Sequence, residues 1–163
     1  MKKKLIIING TMGVGKTAAC RELNKKLKNS VWLDGDWCWM INPFNVNEEN
    51  KEMVIDNITY LLKNFLKNST IEYVIFNWVI HIEEILKPLN ALDFEIIKIT
   101  LTCSEETLKN RILEDVKHNI RNDDCLVRSI NRLEMYKDMS TKQIDTSELS
   151  IVETVEEIMK IVK

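Results

Sequence analysis

The 163 residues of this chain, 45% of them hydrophobic and 29% charged, have the length of one compact domain and leave little room for a second. The 23 basic residues are balanced by 25 acidic ones, and the formal net charge of -2 excludes a general attraction to nucleic acid or to an anionic membrane. The four cysteines form no C-x-x-C pair, which favours reduced thiols in a cytosolic protein.

The N-terminal segment does not have the pattern of an export signal. Its basic residues are followed by the apolar run 5–8, which is shorter than the roughly 7 to 15 apolar residues of a signal peptide. No stretch reaches the roughly 18 uninterrupted apolar residues of a membrane-spanning helix. We therefore expect a soluble, cytoplasmic protein that binds neither membrane nor nucleic acid.

Predicted strands and helices alternate along the chain. The pattern of apolar residues, turn residues and caps predicts, in order, strand 4–9, helix 16–27, strand 31–33, helix 48–66, strand 73–80, short helix 81–89, strand 94–102, helix 105–116, helix 125–139, strand 142–145 and a last helix from the capping box at 150 to 162. Such alternation predicts an α/β fold, with a mainly parallel sheet covered by helices on both faces. Ligands of such folds bind beyond the carboxyl ends of the strands.

A glycine-rich loop joins the first predicted strand to the first predicted helix. Residues 10–17 read G-T-M-G-V-G-K-T and match the pattern G-x-x-x-x-G-K-[ST] in the context that this motif requires. Glycines allow the positive φ angles that aim backbone N–H groups at a triphosphate, and the helix adds the positive end of its dipole. The predicted nucleotide-binding residues are Gly10, Thr11, Met12, Gly13, Val14, Gly15, Lys16, Thr17 and Ala18.

Two residues of this loop have predicted individual roles. Lys16 can reach the β and γ phosphates, and the Thr17 hydroxyl can bind Mg²⁺. A dinucleotide site is an alternative, because residues 13–18 also fit G-x-G-x-x-A, with Asp34 or Asp36 about 20 residues further on. That alternative leaves Lys16 and the spacing from Gly10 without a purpose, as does a plain glycine turn.

An acidic pair follows the second predicted strand. Asp34 and Asp36 flank Gly35, and side-chain alternation along an extended backbone puts both carboxylates on one side. Together they could contribute to a Mg²⁺ site and accept a proton from an acceptor hydroxyl. We predict Thr17, Asp34 and Asp36 as metal ligands and Asp36 as a catalytic residue, the alternative being an ordinary Asp-Gly turn.

Aromatic residues surround this acidic pair. Indole rings stack well on planar ligands but are equally common in cores, so the tryptophans near the pair either line an acceptor pocket or pack the interior. The predicted substrate-binding residues are Asp34, Asp36, Trp37, Trp39 and Trp78.

Four of the five arginines lie between positions 111 and 132. The polar stretch 117–124 within that span is typical of a mobile flap, and guanidinium groups on such a flap could stabilise a phosphoryl group during transfer. We predict the catalytic role for Arg111 or Arg121 rather than for Arg128 or Arg132. Ion pairs on solvated helix faces are the alternative.

Taken together, these motifs resemble those of the small P-loop kinases. The phosphate loop, Asp34-Gly35-Asp36, the arginine-bearing flap and Ile144-Asp145-Thr146-Ser147 follow the order seen in the nucleoside-monophosphate-kinase-like group, especially its shikimate, gluconate and chloramphenicol phosphotransferase branch. The resemblance covers nearly the whole chain. It implies a three-layer α/β/α P-loop NTPase fold with a five-stranded parallel sheet and a short lid, and it implies ATP and Mg²⁺ as cofactors.

The resemblance also implies how the chain is organised. Residues 1–163 would form a single domain, with an acceptor-binding segment at about 36–68, a lid at about 115–128 and an adenine-side loop at 144–148. Lys16 and Thr17 would serve ATP and metal, Asp36 or Asp34 the acceptor, and Arg111 or Arg121 the transferred group.

The chain departs from this group in the acceptor region. Asn77-Trp78-Val79 stands where shikimate kinases carry a glycine-rich motif, and the stretch 47–68 has no arginine. In the third predicted strand, the run 73–76 is followed by Asn77, where other P-loop enzymes commonly have an aspartate. We therefore expect a planar or partly apolar alcohol, such as a nucleoside or an antibiotic, rather than a small carboxylate.

The sequence thus predicts an ATP-dependent kinase that transfers the γ-phosphoryl group to a hydroxyl or phosphate of a small acceptor and acts as a monomer or homodimer. The alternative is a nucleotide-binding regulatory switch or slow NTPase without a small acceptor. A cavity beside Asp36 favours the kinase, whereas a broad exposed apolar patch in its place favours the switch.

Overall fold

The computed structural model describes residues 2–79, 85–89, 91–122 and 124–163. Its strands are β1 (Lys3–Asn9), β2 (Ser30–Asp34), β3 (Tyr73–Asn77), β4 (Phe94–Thr102) and β5 (Lys142–Asp145). Its α-helices are α1 (Lys16–Lys26), α2 (Glu48–Lys67), α3 (Glu105–Lys117), α4 (Cys125–Lys137) and α5 (Ile151–Val162). Short 3-10 helices occupy Gly35–Trp39 and Lys87–Leu89.

The five strands form one sheet in the order β2-β3-β1-β4-β5, and every neighbouring pair is parallel. Because β1 lies at the centre, the loop that follows it leaves the middle of the sheet. Asp34 at the end of β2 is in register with Asn77 at the end of β3. The predicted α/β class with a five-stranded parallel sheet is confirmed.

Both faces of the sheet are buried. Ile6 and Ile8 of β1 belong to a cluster of buried side chains that includes α1, α3, α4 and α5, whereas Leu5 and Ile7 belong to a second cluster with α2. The β1 strand can therefore be apolar at consecutive positions, as parallel strands covered on both sides are. Helices on both faces complete the three layers.

The third strand is shorter than predicted. Pairing of β3 with β1 stops at Asn77, opposite Ile8, and its pairing with β2 stops there too, opposite Asp34. Without a partner on either side the chain leaves the sheet, so Trp78 and Val79 lie beyond the strand. Residue 80 and the first four residues of the predicted helix 81–89 lie outside the described part of the chain.

Side-chain caps define the starts of α3 and α5. The Ser104 hydroxyl accepts a hydrogen bond from the Thr107 backbone N–H at the start of α3. Ser150 and Glu153 form the predicted capping box at the start of α5. Among the helices in the described ranges, none has the length and apolar character needed to cross a membrane.

Candidate active site

The glycine-rich loop connects β1 to α1 and has the backbone that its motif predicts. Gly10, Gly13 and Gly15 have φ angles of 145°, 87° and 98°, which L side chains rarely adopt. A Cβ atom on Gly10 would lie 2.5 Å from the Leu101 carbonyl oxygen, so even a methyl group does not fit there. Loops of this kind form concavities of N–H groups that bind anions.

Lys16 folds back over this loop. Its Nζ donates hydrogen bonds to the carbonyl oxygens of Gly10, at 2.8 Å, and Thr11, at 2.9 Å. Burial lowers the pKa of Lys16 to about 8, while the charges of Asp36 and Asp34 oppose that shift. Neutral carbonyls hold the ammonium group, so phosphate oxygens could replace them without breaking an ion pair.

Asp34 is the centre of a hydrogen-bond network at the ends of β2 and β3. Its Oδ2 accepts from the Thr17 hydroxyl at 2.9 Å and from the Asn77 amide at 2.8 Å, and its Oδ1 accepts from the Asp36 backbone N–H at 3.1 Å. The Asp34 residue is only 5% exposed. The network joins Thr17 to Asp34 by their side chains and Asp36 to Asp34 by the Asp36 backbone N–H.

The oxygen atoms of Thr17, Asp34 and Asp36 fit a Mg²⁺ ion, which binds few protein carboxylates and takes its other ligands from water and phosphates. In the described ranges, no group of three or more His, Cys, Asp or Glu side chains could hold a metal by itself. A hydroxyl beside two carboxylates is therefore the donor set that this site offers.

Asp36 reaches the site by a route different from the predicted one. The extended backbone ends at Asp34, because Gly35–Trp39 forms a 3-10 helix whose first turn is held by the Asp34 side chain. The two carboxylates nevertheless line one cavity. The surrounding protein raises the pKa of Asp36 above 3.8 by desolvation, and the Asp34 charge raises it further.

Other neighbours stabilise the charged form of Asp36. The Lys16 ammonium, a hydrogen bond from the Trp78 side chain and the Arg121 guanidinium each lower the pKa of this carboxyl and so oppose the desolvation. Asp36 is thus a carboxylate among cationic and donor groups, and solvent reaches it. That is a suitable environment for a general base.

Two cavities meet at Asp36. The loop cavity, of about 730 Å³, is lined by residues 12–18, both aspartates, Arg111, Arg121 and the start of α5. The aromatic cavity, of about 990 Å³, is lined by the loop after the 3-10 helix, the first turns of α2 and residues 78 and 79. The residues that line both are Asp36, Trp78, Val79 and Arg132.

Aromatic side chains form much of the wall of the aromatic cavity. Trp39 lies with its ring centroid 6.0 Å from that of Phe44, and Trp78 lies against Gly35, where an added Cβ would be 2.3 Å from the indole Cγ. The Trp39 indole N–H is buried and has no hydrogen-bond partner among the residues that the structure describes. Lys51 of α2, also in the wall, pairs with Glu48 at 2.7 Å.

Trp37 does not share this wall, contrary to the expectation that groups it with Trp39. Its side chain is 50% exposed and its ring packs on Trp32, with centroids 4.8 Å apart. The 3-10 helix explains the difference, because its three residues per turn send side chains two positions apart in different directions. Trp39 and Trp78 are thus the predicted tryptophans that line the aromatic cavity.

The structure separates the two arginines predicted to act in catalysis. Arg111 donates to the Thr146 hydroxyl at 3.0 Å and to the Thr146 carbonyl at 2.7 Å, which fixes it beside the loop after β5. Arg121 pairs with Asp115 at 2.7 Å, and its charge lowers the pKa of Lys16. Arg121 therefore lies near Lys16 and Asp36, whereas Arg111 is held by Thr146, whose hydroxyl is also 3.4 Å from the Val14 carbonyl oxygen of the phosphate loop.

Arg132 lines both cavities, although the sequence interpretation ranks it below Arg111 and Arg121. It forms no ion pair with any residue that the structure describes, whereas Arg128 pairs with Asp124 at 3.4 Å. The sequence does indicate where Arg132 lies on the helix, because Ser129 and Leu133 are buried on α4 and Arg132 borders that face. The side chain of an arginine at the edge of a buried helix face lies along the protein surface.

Comparison with known proteins gives one family match. The sequence model of a family described as "AAA domain" matches residues 6–136. No curated protein shows significant sequence similarity to the chain.

Many solved structures share the whole fold. A tunicamycin resistance protein from Deinococcus radiodurans superposes with a TM-score of 0.71 at 18% identity, covering 99% of this chain and 96% of its own. A sugar kinase from Janibacter sp. gives 0.70 at 10% identity, with 99% and 95% covered. A gluconokinase from Sinorhizobium meliloti gives 0.67 at 13% identity, with 98% and 90% covered. The fold of this chain is therefore that of small P-loop kinases.

Proposed function

This chain belongs to the AAA domain family, and we propose that it is an ATP-dependent kinase for a small acceptor molecule. One observation carries the proposal: the loop cavity and the aromatic cavity meet at Asp36. A nucleotide in the first and a second molecule in the second would lie on either side of one carboxylate. A nucleotide switch without a small acceptor needs only the first cavity.

Residues 10–18 bind the phosphates of ATP in this proposal. The loop N–H groups and the start of α1 face the phosphates, and Lys16 exchanges the carbonyls of Gly10 and Thr11 for phosphate oxygens. The side chains of Thr17, Asp34 and Asp36 hold Mg²⁺. Bound Mg²⁺ would neutralise charge on the β and γ phosphates.

Asp36 accepts the proton of the acceptor hydroxyl as that oxygen bonds to the γ phosphorus and ADP leaves. Desolvation raises the pKa of Asp36, which makes it a stronger base than an aspartate in water. Lys16, Arg121 and Arg132 supply the positive charge that phosphoryl transfer requires around the γ phosphate. The chain therefore contributes mainly position and charge.

The wall of the aromatic cavity supports an alcohol with a planar or partly apolar body as the acceptor. Trp39, Phe44 and Trp78 offer flat apolar surface, and the cation Lys51 is already paired with Glu48. The tunicamycin resistance protein among the structural relatives supports including antibiotics in an acceptor screen. We assign acceptor binding to residues 36–68 and a lid to 115–128.

Phosphotransfer to a panel of nucleosides, sugars and antibiotics tests this function. ADP release is followed by a coupled assay, and phosphorylated product by mass spectrometry. With the best acceptor, Asp36→Asn should lower kcat by about 10²- to 10⁴-fold, because it removes the base. The Kd for ATP measured without Mg²⁺ should change by less than about threefold, since no phosphate contact is removed.

Asp56→Asn provides the matched control, because Asp56 is exposed on α2 and belongs to neither cavity lining. It should retain the wild-type kcat. Full turnover by Lys16→Ala would contradict the role of the phosphate loop. Slow ADP release that no panel compound accelerates would favour the switch or NTPase instead.

A further inference from the structure

A chain of side-chain hydrogen bonds connects Trp32 of β2 to Thr17 at the start of α1. The Trp32 indole N–H donates to Asn77 Oδ1 at 2.6 Å, and Asn77 Nδ2 donates to Asp34 Oδ2 at 2.8 Å. The same Asp34 oxygen accepts from the Thr17 hydroxyl at 2.9 Å. Asn77 is 1% exposed, so water does not compete for its amide.

We propose that Trp32 and Asn77 are positioning residues of the magnesium site, in that the Trp32 indole orients the Asn77 amide and the amide holds the carboxylate that orients the Thr17 hydroxyl. The inference rests on the proposed function, because that function requires Mg²⁺ beside Thr17. It gives a role to two residues that the proposed function leaves without one.

The indole determines which way the amide of Asn77 faces. Indole nitrogen donates and cannot accept, so it selects the carbonyl end of the Asn77 amide. The amide nitrogen is then left for Asp34, an acceptor-only group when ionised. Without the Trp32 N–H, the amide could rotate and present its oxygen to the Asp34 carboxylate, which would repel it.

An asparagine suits position 77 better than the aspartate expected there. Asn77 and Asp34 are opposite each other in the register of β3 and β2, within hydrogen-bond distance. An ionised aspartate at 77 would offer Asp34 no proton and would add a like charge in contact. The neutral amide adds a donor without adding charge.

The Thr17 hydroxyl is where this network would act on the metal. A hydroxyl has one proton to donate and two lone pairs. Donation to Asp34 commits the proton and leaves both lone pairs of the hydroxyl free to bind Mg²⁺. Partners behind a metal ligand typically change metal affinity by about 10- to 100-fold when removed.

Titration calorimetry of a non-hydrolysable ATP analogue, once with Mg²⁺ and once with EDTA, tests this role. The quantity compared is the Kd in EDTA divided by the Kd with Mg²⁺, which measures how much Mg²⁺ improves binding. Asn77→Asp should lower that ratio by about 10-fold relative to wild type, with the Kd in EDTA changed by less than about twofold. Trp32→Phe should lower the ratio in the same direction.

Asn64→Asp is the matched control, because Asn64 is exposed on α2 and takes the same change of one amide to a carboxylate. It should keep the wild-type ratio. Ratios equal to wild type in both Trp32→Phe and Asn77→Asp, or equal losses with Mg²⁺ and with EDTA, would overturn the inference and leave a purely structural pair. Should Asn77→Asp fail to fold, Trp32→Phe alone decides. A wild-type protein that binds no nucleotide contradicts the proposed function itself, and the inference with it.

Discussion

Lys16 is the residue whose charge the fold most clearly perturbs. Its ordinary pKa of 10.5 falls to about 8, with burial as the largest cause. In the unfolded chain nothing comparable desolvates the ammonium group. The folded and unfolded states therefore bind different numbers of protons on Lys16 between pH 8 and 10.5, and stability must change with pH in that window.

We predict that the wild-type protein gains stability over a Lys16→Met variant as the pH rises from about 8 to 10.5. The unfolded state still holds the Lys16 proton there while the folded state has lost it, so the free energy of unfolding increases with pH. The gain should be about 1 to 3 kcal/mol, the upper part of that range requiring full burial. Urea unfolding at a series of pH values measures it.

Lys26→Met is the control for this experiment, because Lys26 is exposed on the last turn of α1. Its stability difference from wild type should be constant across the same pH range. If the difference for Lys16→Met is also constant, the prediction is wrong, because Lys16 is then solvated like a surface lysine.

At the scale of residues, spacing decided what the sequence could predict. The phosphate loop could be predicted directly, because its conformation is local and is specified by the spacing of Gly10, Gly15, Lys16 and Thr17. The role of Arg132 depends on where α4 packs, and the spacing of residues on α4 indicates its buried face but not the cavity beside that face. A role for Asn77 needed the register of β2 and β3, because only the sheet brings it to Asp34.

The element that shapes the junction of the two cavities is the 3-10 helix Gly35–Trp39. It begins where β2 ends, presents Asp36 to both cavities and packs its first residue on the Trp78 indole. Gly35 is required for lack of space and not for an unusual φ, since a Cβ atom would lie 2.3 Å from Trp78 Cγ. The helix and the segment after β3 therefore fix each other.

We predict that Gly35→Ala destabilises the protein by about 1 to 3 kcal/mol, because the added methyl group must push the indole away. Displacing Trp78 moves a wall of the aromatic cavity, so KM for the acceptor should rise more than KM for ATP. Urea unfolding and steady-state kinetics with an identified acceptor measure the two effects.

A double-mutant cycle with Trp78→Leu checks the cause. In the Trp78→Leu background the methyl group meets a smaller side chain, and the cost of Gly35→Ala should shrink by at least about 1 kcal/mol. An equal cost in both backgrounds would place the strain elsewhere.

Element boundaries were predictable where the chain itself carries the signal. The strand 94–102 and the capping box at Ser150 were predicted at the positions where they occur, because a β-branched run and a cap are local. The end of β3 was predicted three residues too late, since it is determined by where β1 and β2 stop pairing. The 3-10 helix after β2 was not predicted, as its first turn depends on one side-chain hydrogen bond.

Across the whole molecule, the sheet order assigns different tasks to its two halves. The aromatic cavity lies on the side of β2 and β3, whereas Arg111 and the loop after β5 lie on the side of β4. The central strand β1 leads into the phosphate loop between them. The parallel order thus brings three segments that are distant in sequence to one edge of the sheet.

We predict that Mg²⁺ with ATP raises the melting temperature of the whole protein, by about 5 to 10 °C at 100 times Kd. A ligand that binds only the folded state must stabilise it, and the loop cavity is lined by both the phosphate loop and the start of α5. Differential scanning fluorimetry with ATP, GTP and NAD, each with and without Mg²⁺, measures the shift.

Lys16→Ala should lose most of this shift while keeping a cooperative transition. A shift with NAD but none with ATP would instead support the dinucleotide interpretation of residues 13–18. Equal shifts with ATP and GTP would show that the loop after β5 does not discriminate between the bases.

The lining of the aromatic cavity has a consequence for how such proteins diversify. Apart from Arg132, every residue described in that wall comes from the single stretch 36–79, while the phosphate loop precedes it and Arg111 and Arg121 follow it. Apart from Asp36 and Asn77, this continuous piece of the gene can therefore drift, or be exchanged for one that keeps those two residues, without altering the parts that hold the phosphates and Mg²⁺. New acceptors can arise on this scaffold while the phosphate-binding loop is inherited unchanged.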